Sequence, residues 1–203
     1  KNDLDNLNYN KDNNLNVKIF SLGHRNPQGM AKINDNIFSS EHGPKGGDEV
    51  NYIQQNLNYG WPVSSYGTKY FLEPSDTYNK GDKLLKYYKN SHTKYGFEEP
   101  ILQFTPSIGI SSLTNCPEVL IKFYERKNCL LANSLREKSL YIIILDEMQP
   151  DKVIGYEKIK LDKRLRNFAL NLDGTLFEEN SKTIYISADD SSVLKLTFNT
   201  KKN

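Results

Sequence analysis

The chain has 203 residues, of which 26% are charged and 37% hydrophobic, a composition that suits a globular domain with a sizeable core. Its 27 basic and 25 acidic residues give a net charge of +2, which argues against a nucleic-acid or membrane-surface partner. No apolar run approaches the roughly 18 residues that span a bilayer, so we expect no membrane-spanning segment.

The predicted elements are almost all short strands. Residues 1–16 are polar and rich in Asn and Asp, so we expect a loop or an unanchored end there. From residue 17 to residue 203, short runs of β-branched and aromatic residues alternate with turn signals, which predicts one β-rich domain. The predicted strands are Val17–Leu22, Met30–Ile33, Ile37–Ser40, Glu49–Ile53, Val119–Tyr124, Cys129–Ser134, Ser139–Leu145, Val153–Ile159, Asn167–Leu170, Thr183–Ser187 and Val193–Phe198.

One long polar segment, residues 64–99, interrupts this pattern. It is rich in Tyr, Lys, Ser and Gly, and it contains the best helical candidate, Gly81–Lys89. We predict that the segment is an insertion that covers one end of the domain. Many short, evenly spaced strands favour a sandwich, a barrel or a propeller, and the weak internal self-similarity does not choose among them.

The two cysteines, Cys116 and Cys129, do not have the CxxC spacing of a metal site. They could bridge a hairpin, but the simpler interpretation is two free thiols. Cysteine usage therefore does not decide the redox compartment.

Three polar, glycine-rich segments each follow or end a predicted strand: Gly23–Gly29 (GHRNPQG), Glu41–Glu49 (EHGPKGGDE) and Asn58–Pro62 (NYGWP). The guanidinium of Arg25 suits bidentate binding of a carboxylate, and carbonyls of the Gly43-Pro44 turn suit a hard cation such as calcium. Residue types alone favour a simpler interpretation, in which these groups cap turns and form ordinary surface pairs.

In this order and spacing, the three segments resemble the glucose/sorbosone dehydrogenase family of soluble PQQ enzymes. Weaker resemblances follow in the same order. They are Phe104–Ser111, Leu130–Arg136, Lys163–Asn167 and Asn171–Gly174. The resemblance covers roughly residues 17–198.

The resemblance implies an all-β fold, a six-bladed β-propeller with PQQ over its top near the central channel. A propeller blade takes roughly 40–50 residues, so the chain has room for about three blades of antiparallel four-stranded sheets. We therefore expect a partial propeller that belongs to a longer enzyme. Its open sheet edges could pair with another chain or form a homo-oligomer.

The resemblance also assigns roles to individual residues. Cofactor contacts are implied for Arg25, Asn26, Ser107, Arg136, Arg164 and Arg166. The carbonyls of Gly43 and Pro44 match ligands of the catalytic calcium, and Glu49 with the Tyr59 carbonyl matches a second, structural calcium site. Arg164 is implied beside the quinone, where it would stabilise hydride transfer. From residue types alone, Arg164 and Arg166 could instead form a solvated strand face. At position 136 the family usually has Lys.

The implied activity is oxidation of an aldose to its lactone, with electrons passing through PQQ to an acceptor, in the periplasm or outside the cell. The family's general-base histidine lies upstream of the Gly23–Gly29 motif and has no counterpart here. His24 and His42 belong to other motifs, and His92 is predicted to lie on the surface.

The alternatives are a non-catalytic propeller that binds a partner and a degenerate pseudoenzyme. The sugar and the electron acceptor stay open.

Overall fold

A computed structural model describes residues 18–70, 88–126, 128–171, 175–177 and 182–199. The predicted polar end at 1–16 lies outside these residues, as does most of the helical candidate Gly81–Lys89 and most of the Asn171–Gly174 motif. Within the described part of the chain, the strands form three antiparallel sheets.

The first sheet is a meander of four strands in chain order, each paired with the next. Its strands are β1 (Pro27–Ile33), β2 (Asn36–Glu41), β3 (Asp48–Ile53) and β4 (Leu102–Phe104).

The second sheet repeats this meander, with a short helix between its first two strands. Its elements are β5 (Ile110–Asn115), α1 (Glu118–Tyr124), β6 (Cys129–Ser134), β7 (Ser139–Leu145) and β8 (Val153–Lys160). The third sheet has three strands in the order β11-β10-β9 within the described residues. They are β9 (Leu165–Phe168), β10 (Thr183–Ala188) and β11 (Val193–Thr197).

The first strand of each sheet packs against the first strand of the next. β5 contacts β1 and β2 on one side and β9 on the other. Three meanders whose leading strands lie side by side are successive blades of a β-propeller, and the sheets do not close into a barrel. The predicted all-β partial propeller of about three blades is confirmed.

The second blade lies between two hydrophobic cores, and its sequence shows why. In β6, Leu130 and Ala132 belong to the core shared with the first blade, whereas Cys129 and Leu131 belong to the core shared with the third. Successive side chains of a strand point to opposite faces, so a strand buried on both faces is mostly apolar, and its buried polar side chains, Asn133 and Ser134 in β6, are hydrogen-bonded. Each such buried side chain contributes about 1.5–3 kcal/mol through the hydrophobic effect.

One predicted strand is a helix. Residues Val119–Tyr124 form most of α1, with Pro117 as the extended residue before it and a Glu118–Lys122 ion pair along it. Val119 and Leu120 are buried in the core between the second and third blades. The helix is only two turns long, which is too short for a helical period to be visible in the sequence. Its β-branched and aromatic residues therefore predicted a strand.

Other strand predictions need smaller corrections. The described part of Val17–Leu22 is not a strand, although Leu22 forms an isolated bridge with Asn58. The strand predicted at Asn167–Leu170 begins earlier, at Leu165, and ends at Phe168. The structure adds β4 and β5, which the sequence patterns do not predict.

The cysteines are bridged, so the expectation of free thiols is wrong. Cys116 follows the end of β5 and Cys129 begins β6, and their Cα atoms lie 5.3 Å apart. Asn115 and Leu130 are paired across these two strands, so the neighbouring cysteines necessarily meet. The disulfide closes the connection that contains α1.

Both described flanks of the long insertion pack on the first blade. Ser65 donates a backbone hydrogen bond to Lys89, and a single 3₁₀ turn follows at Thr93–Tyr95. No helix in the described ranges is long and apolar enough to cross a membrane.

Candidate cofactor and cation site

The predicted site residues come from one end of the three blades, here called the upper end. It contains the starts of β1, β5 and β9 and the β2–β3, β6–β7 and β10–β11 turns. Two bonds align the blades: Asp48 at the start of β3 binds Ser107 before β5, and Ser111 Oγ in β5 donates to the Leu165 carbonyl in β9 at 2.8 Å. Strand topology thus collects residues from distant motifs at one end.

Arg25 is fixed at the start of the first blade. Its backbone N–H donates to Glu41 Oε2 at 2.8 Å, and its Nη1 donates to the His42 carbonyl at 2.9 Å. The guanidinium carbon lies 5.3 Å from the centre of the Trp61 ring, a cation–π contact. Its Nε is buried without a hydrogen-bond partner. The next residue, Asn26, is exposed, and its carbonyl accepts the His42 N–H at 3.1 Å.

The side chain of His24 anchors the segment that contains Arg25 and Asn26. Its Nε2 lies 2.8 Å from Ser21 Oγ, its Nδ1 lies 3.0 Å from Glu41 Oε1, and its ring stacks on Tyr59 at 4.6 Å. Both ring nitrogens are occupied, so this histidine positions the segment.

The β2–β3 turn, residues 42–47, is tightly folded. Gly43 and Pro44 are buried, and the Gly43 N–H donates to Asp48 Oδ1 at 3.3 Å. A Cβ atom on Gly43 would overlap the carbonyl oxygens of Gly46 and Gly47. Backbone carbonyl oxygens therefore converge around Gly43, where only glycine fits.

Ser107 faces the same turn, but its hydroxyl is committed. Ser107 Oγ donates to Asp48 Oδ2 at 2.7 Å and accepts the Gly109 N–H at 3.0 Å. A cofactor contact through this hydroxyl would have to use the oxygen as an acceptor.

The other predicted cations lie on the second and third blades. Arg136 is exposed in the β6–β7 turn, and its N–H donates to the Ile108 carbonyl at 3.0 Å. Arg164 Nε donates to Asp189 Oδ2 at 2.8 Å, and Arg166 Nε binds the other oxygen of the same carboxylate. Hydrogen bonds from Arg166 and Arg164 hold the pKa of Asp189 below its ordinary value. Both arginines are about half exposed, and Asp189 orients them together.

Glu49 is a buried carboxyl below the turn. Burial, with the charge of Glu41 adding to it, raises the pKa of Glu49 to about 8. Asn51 Nδ2 lies between the two carboxyls, 2.6 Å from Glu41 Oε1 and 3.4 Å from Glu49 Oε2. A cavity of about 10 Å³ adjoins them, lined also by Tyr59. It is large enough for one water-sized species.

His92 is buried, so the prediction that it lies on the surface is wrong. Its exposure is 1%, its ring stacks on Tyr66 at 5.2 Å, and its Nε2 lies 4.0 Å from Glu49 Oε1. Sequence reasoning missed this residue because its neighbours along the chain are polar. The sequence also assigned no separate role to Asp48, which links two blades.

Among the described residues, no group of three or more His, Cys, Asp or Glu side chains is arranged to hold a metal ion. A calcium ion at this end would therefore depend on backbone carbonyl and hydroxyl oxygens in addition to Glu49.

Comparisons with known proteins agree with this architecture. Residues 4–185 match the family model of glucose/sorbosone dehydrogenases. The aldose sugar dehydrogenase YliI of Escherichia coli K12 is 30% identical over 188 residues, which cover 90% of this chain and 44% of YliI. Quinoprotein glucose dehydrogenase B of Acinetobacter calcoaceticus is 52% identical over 50 residues, 24% of this chain and 10% of that protein.

A solved structure supports the same assignment. A crystal structure of a glucose dehydrogenase superposes with a TM-score of 0.66 at 28% identity, covering 91% of this chain and 47% of that one. The chain thus spans less than half the length of these relatives. By its matching family model and its blade architecture, the chain belongs to the glucose/sorbosone dehydrogenase family.

Proposed function

We propose that this chain forms the arginine-and-calcium part of a PQQ site in an enzyme that oxidises an aldose sugar to its lactone. The observation that carries the proposal is the position of the arginines. Arg25, Arg136, Arg164 and Arg166 come from three blades and all lie at the upper end, where PQQ with its three carboxyl groups would need fixed positive charge. A relative named as a quinoprotein glucose dehydrogenase supports the choice of cofactor.

The residues present fit an anionic cofactor. Arg25 is held by two hydrogen bonds and a ring contact, yet its buried Nε has no partner, so it retains a donor for a bound carboxylate. Asp189 fixes the Nε atoms of Arg164 and Arg166, which leaves the terminal amino groups of both guanidinium groups for other partners. Asn26 is exposed beside Arg25 and would complete the contact.

The residues also fit calcium. We propose the carbonyls of Gly43 and Pro44 as ligands of the catalytic ion. They belong to the crowded β2–β3 turn, in which the carbonyl oxygens of Gly46 and Gly47 also converge on Gly43. Glu49 and the Tyr59 carbonyl would hold a second, structural ion. The buried Glu49 carboxyl beside Glu41 suits that role, because a cation would offset the repulsion between them.

These positions suggest what each group would do in the reaction. When bound, PQQ supplies the two-electron acceptor for the anomeric carbon of the sugar. Arg164 would place positive charge where negative charge develops, and such fixed charges are effective because they need no reorganisation. The sugar hydroxyl must also lose a proton. His24 is held by Ser21 and Glu41, and the Nε2 atoms of His42 and His92 are buried, so we expect the proton acceptor to come from outside these 203 residues.

The disulfide supports a periplasmic or secreted location. Structural disulfides persist in oxidising compartments and are rare in reducing ones. The Cys116–Cys129 bridge therefore fits an enzyme that works outside the cytosol.

A binding titration tests the cofactor site. Trp61 is the only tryptophan of the chain and lies against Arg25, so its fluorescence should be quenched as PQQ binds in the presence of calcium. Arg25→Gln should weaken PQQ binding at least about tenfold, the loss of one charge-assisted hydrogen bond. Arg126→Gln, beyond α1 on the connection between β5 and β6, is the matched control and should bind normally. Equal affinity in all three proteins would refute the site.

A turnover assay tests separately whether this chain contains the proton acceptor. The purified chain with PQQ, calcium, an aldose and an electron-accepting dye should show little or no dye reduction. Robust reduction would mean that this chain contains its own base.

A further inference from the structure

The hydrogen bonds around His92 fix its tautomer. Its Nδ1 lies 3.0 Å from the Glu98 carbonyl, which can only accept, so the proton is on Nδ1. The lone pair of the neutral ring is therefore on Nε2. Histidines that bind metals are oriented in this way, with the other ring nitrogen donating to a carbonyl or carboxylate.

The Nε2 lone pair points into the protein without a partner. Nε2 is buried and has no hydrogen bond, and its nearest charged neighbour is Glu49 Oε1 at 4.0 Å. That distance is too long for a direct hydrogen bond. An acceptor nitrogen and a carboxyl oxygen thus face each other across a gap that a small bridging species would fill.

The His92 ring is rigidly held in this orientation. It stacks on Tyr66 at 5.2 Å, and the Tyr66 hydroxyl donates to Glu99 Oε2 at 2.5 Å. Glu99 in turn accepts hydrogen bonds from the backbone and side chain of Thr93, the residue after His92. The insertion therefore presents this imidazole to the first blade at low conformational cost.

Three carboxyl groups lie close together on the other side of the gap. Glu41, Asp48 and Glu49 are all buried, with exposures of 3%, 1% and 8%. Asp48 is satisfied by N–H and O–H donors from the second blade, and Glu41 by His24 and the Arg25 backbone. Within the part of the chain that the structure describes, Glu49 accepts one long hydrogen bond, from Asn51 Nδ2 at 3.4 Å. In the described structure Glu49 is therefore the carboxyl with the fewest hydrogen bonds of the three, and it is the one that faces His92.

We propose that His92 Nε2 is a ligand of the cation held at Glu49, so that this site accepts a first-row divalent ion such as Mn²⁺ as well as Ca²⁺. The inference rests on the proposed cation site at Glu49 and adds the identity of a ligand from the insertion. Calcium binds oxygen ligands, whereas imidazole suits first-row transition metals. The Glu49 carboxylate and the Tyr59 carbonyl suit either class of ion, and the His92 imidazole adds a ligand that a first-row ion would use.

Mn²⁺ is the probe that tests this ligand. The metal-free chain is titrated with Mn²⁺, and the complex is examined by electron spin echo envelope modulation for coupling to ¹⁴N. Wild type should show the modulation of a bound imidazole. His92→Gln should lose the modulation and bind Mn²⁺ roughly 10–100-fold more weakly, while its Ca²⁺ affinity stays within about threefold. His42→Gln is the matched control, because it removes another histidine whose Nε2 is buried and unpartnered, and it should keep the signal.

The outcomes separate the two proposals. If Glu49→Gln abolishes Mn²⁺ binding but wild type shows no ¹⁴N modulation, the cation site stands and the assignment of His92 is overturned. Loss of the modulation in His42→Gln but not in His92→Gln also overturns it. If Ca²⁺ raises the melting temperature of wild type more than that of Glu49→Gln, and Mn²⁺ does not bind at Glu49, the calcium site stands and the assignment of His92 is overturned. If no ion binds at Glu49, both claims fail, while the PQQ titration still judges the cofactor site.

Discussion

The carboxylate of Asp48 lies 2.7 Å from the hydroxyl of Ser107 and joins the first blade to the second. Asp48 begins β3, and its Oδ2 also accepts the N–H groups of Gly109 and Ile110 at 2.7 and 3.0 Å. Its Oδ1 accepts the Gly43 N–H at 3.3 Å. One buried carboxylate thus organises both the turn with the proposed calcium carbonyls and the start of β5.

Replacing Asp48 with Asn should destabilise the chain by roughly 2–4 kcal/mol, because an NH₂ group would face N–H donors that need an acceptor. Chemical denaturation measures this change. Asp35→Asn is the matched control, since Asp35 is fully exposed and pairs with Lys32 at a distance of 3.7 Å. Its unfolding midpoint should not move. Equal shifts in the two variants would contradict the linking role of Asp48.

The sequence predicts the last three strands of the second blade, β6 to β8, well, because their information is local. Strand β7 is a continuous apolar run bounded by turn residues, and such a run has few other interpretations. Helix α1 could not be predicted in this way. Its seven residues are too few to show a helical period, and the disulfide that closes the connection brings together residues from two strands.

The candidate site, too, was predictable from the sequence only in part. Arg25 and Gly43 belong to motifs that are visible in the sequence, and strand topology brings them together. The burial of His92 depends on a ring contact with Tyr66 and on the approach of Glu49 from another strand. The residues next to His92 in the sequence do not indicate these contacts, so only the folded structure shows them.

The Cys116–Cys129 disulfide should stabilise the chain by roughly 3 kcal/mol, the value expected for a closed loop of about 15 residues. The bridge joins residues separated by 13 positions. A double variant with both cysteines replaced by Ser should therefore unfold at lower urea concentration. Wild type in reducing agent should unfold like the double variant, and the reducing agent should not affect the double variant. A midpoint unchanged by reduction would show that the bridge adds no stability.

The pH dependence of stability should report the protonation of Glu49. The pKa of its carboxyl is raised to about 8 in the folded chain, against an ordinary value of 4.5. Between those values the unfolded chain has released the proton and the folded chain has not, so stability falls as pH rises from about 4.5 to 8. Below pH 4.5 the contribution is fully present. Metal-free Glu49→Gln should lack this fall, since an amide does not ionise.

The measurement is the difference in melting temperature between Glu49→Gln and wild type across pH 5–9 in metal-free buffer. The difference should grow in favour of the variant as pH rises. Calcium should stabilise wild type more at pH 8 than at pH 5, because the ion displaces the proton. Glu118→Gln, on exposed α1, is the control and should show no such trend. A flat difference for Glu49→Gln would mean that its carboxyl ionises normally.

Gly43→Ala should damage the upper end more than an alanine substitution at any open glycine. The added methyl would overlap the carbonyl oxygens of Gly46 and Gly47, which belong to the backbone and cannot rotate away. Relief requires the β2–β3 turn to shift, at a cost of about 1–3 kcal/mol, and the shift would displace the carbonyls proposed to bind calcium.

Gly155→Ala is the matched control, because a Cβ there meets nothing within 4 Å and the residue lies within strand β8. There alanine should be neutral or stabilising, since it restricts the unfolded chain. Calcium titration followed by thermal melting measures both effects. Both variants are made in the Glu49→Gln background, so that the calcium response reports only the site proposed at Gly43 and Pro44. We expect Gly43→Ala to melt earlier and to lose this response, while Gly155→Ala keeps its melting temperature and the response. A calcium response retained in Gly43→Ala would remove this turn from the proposed site.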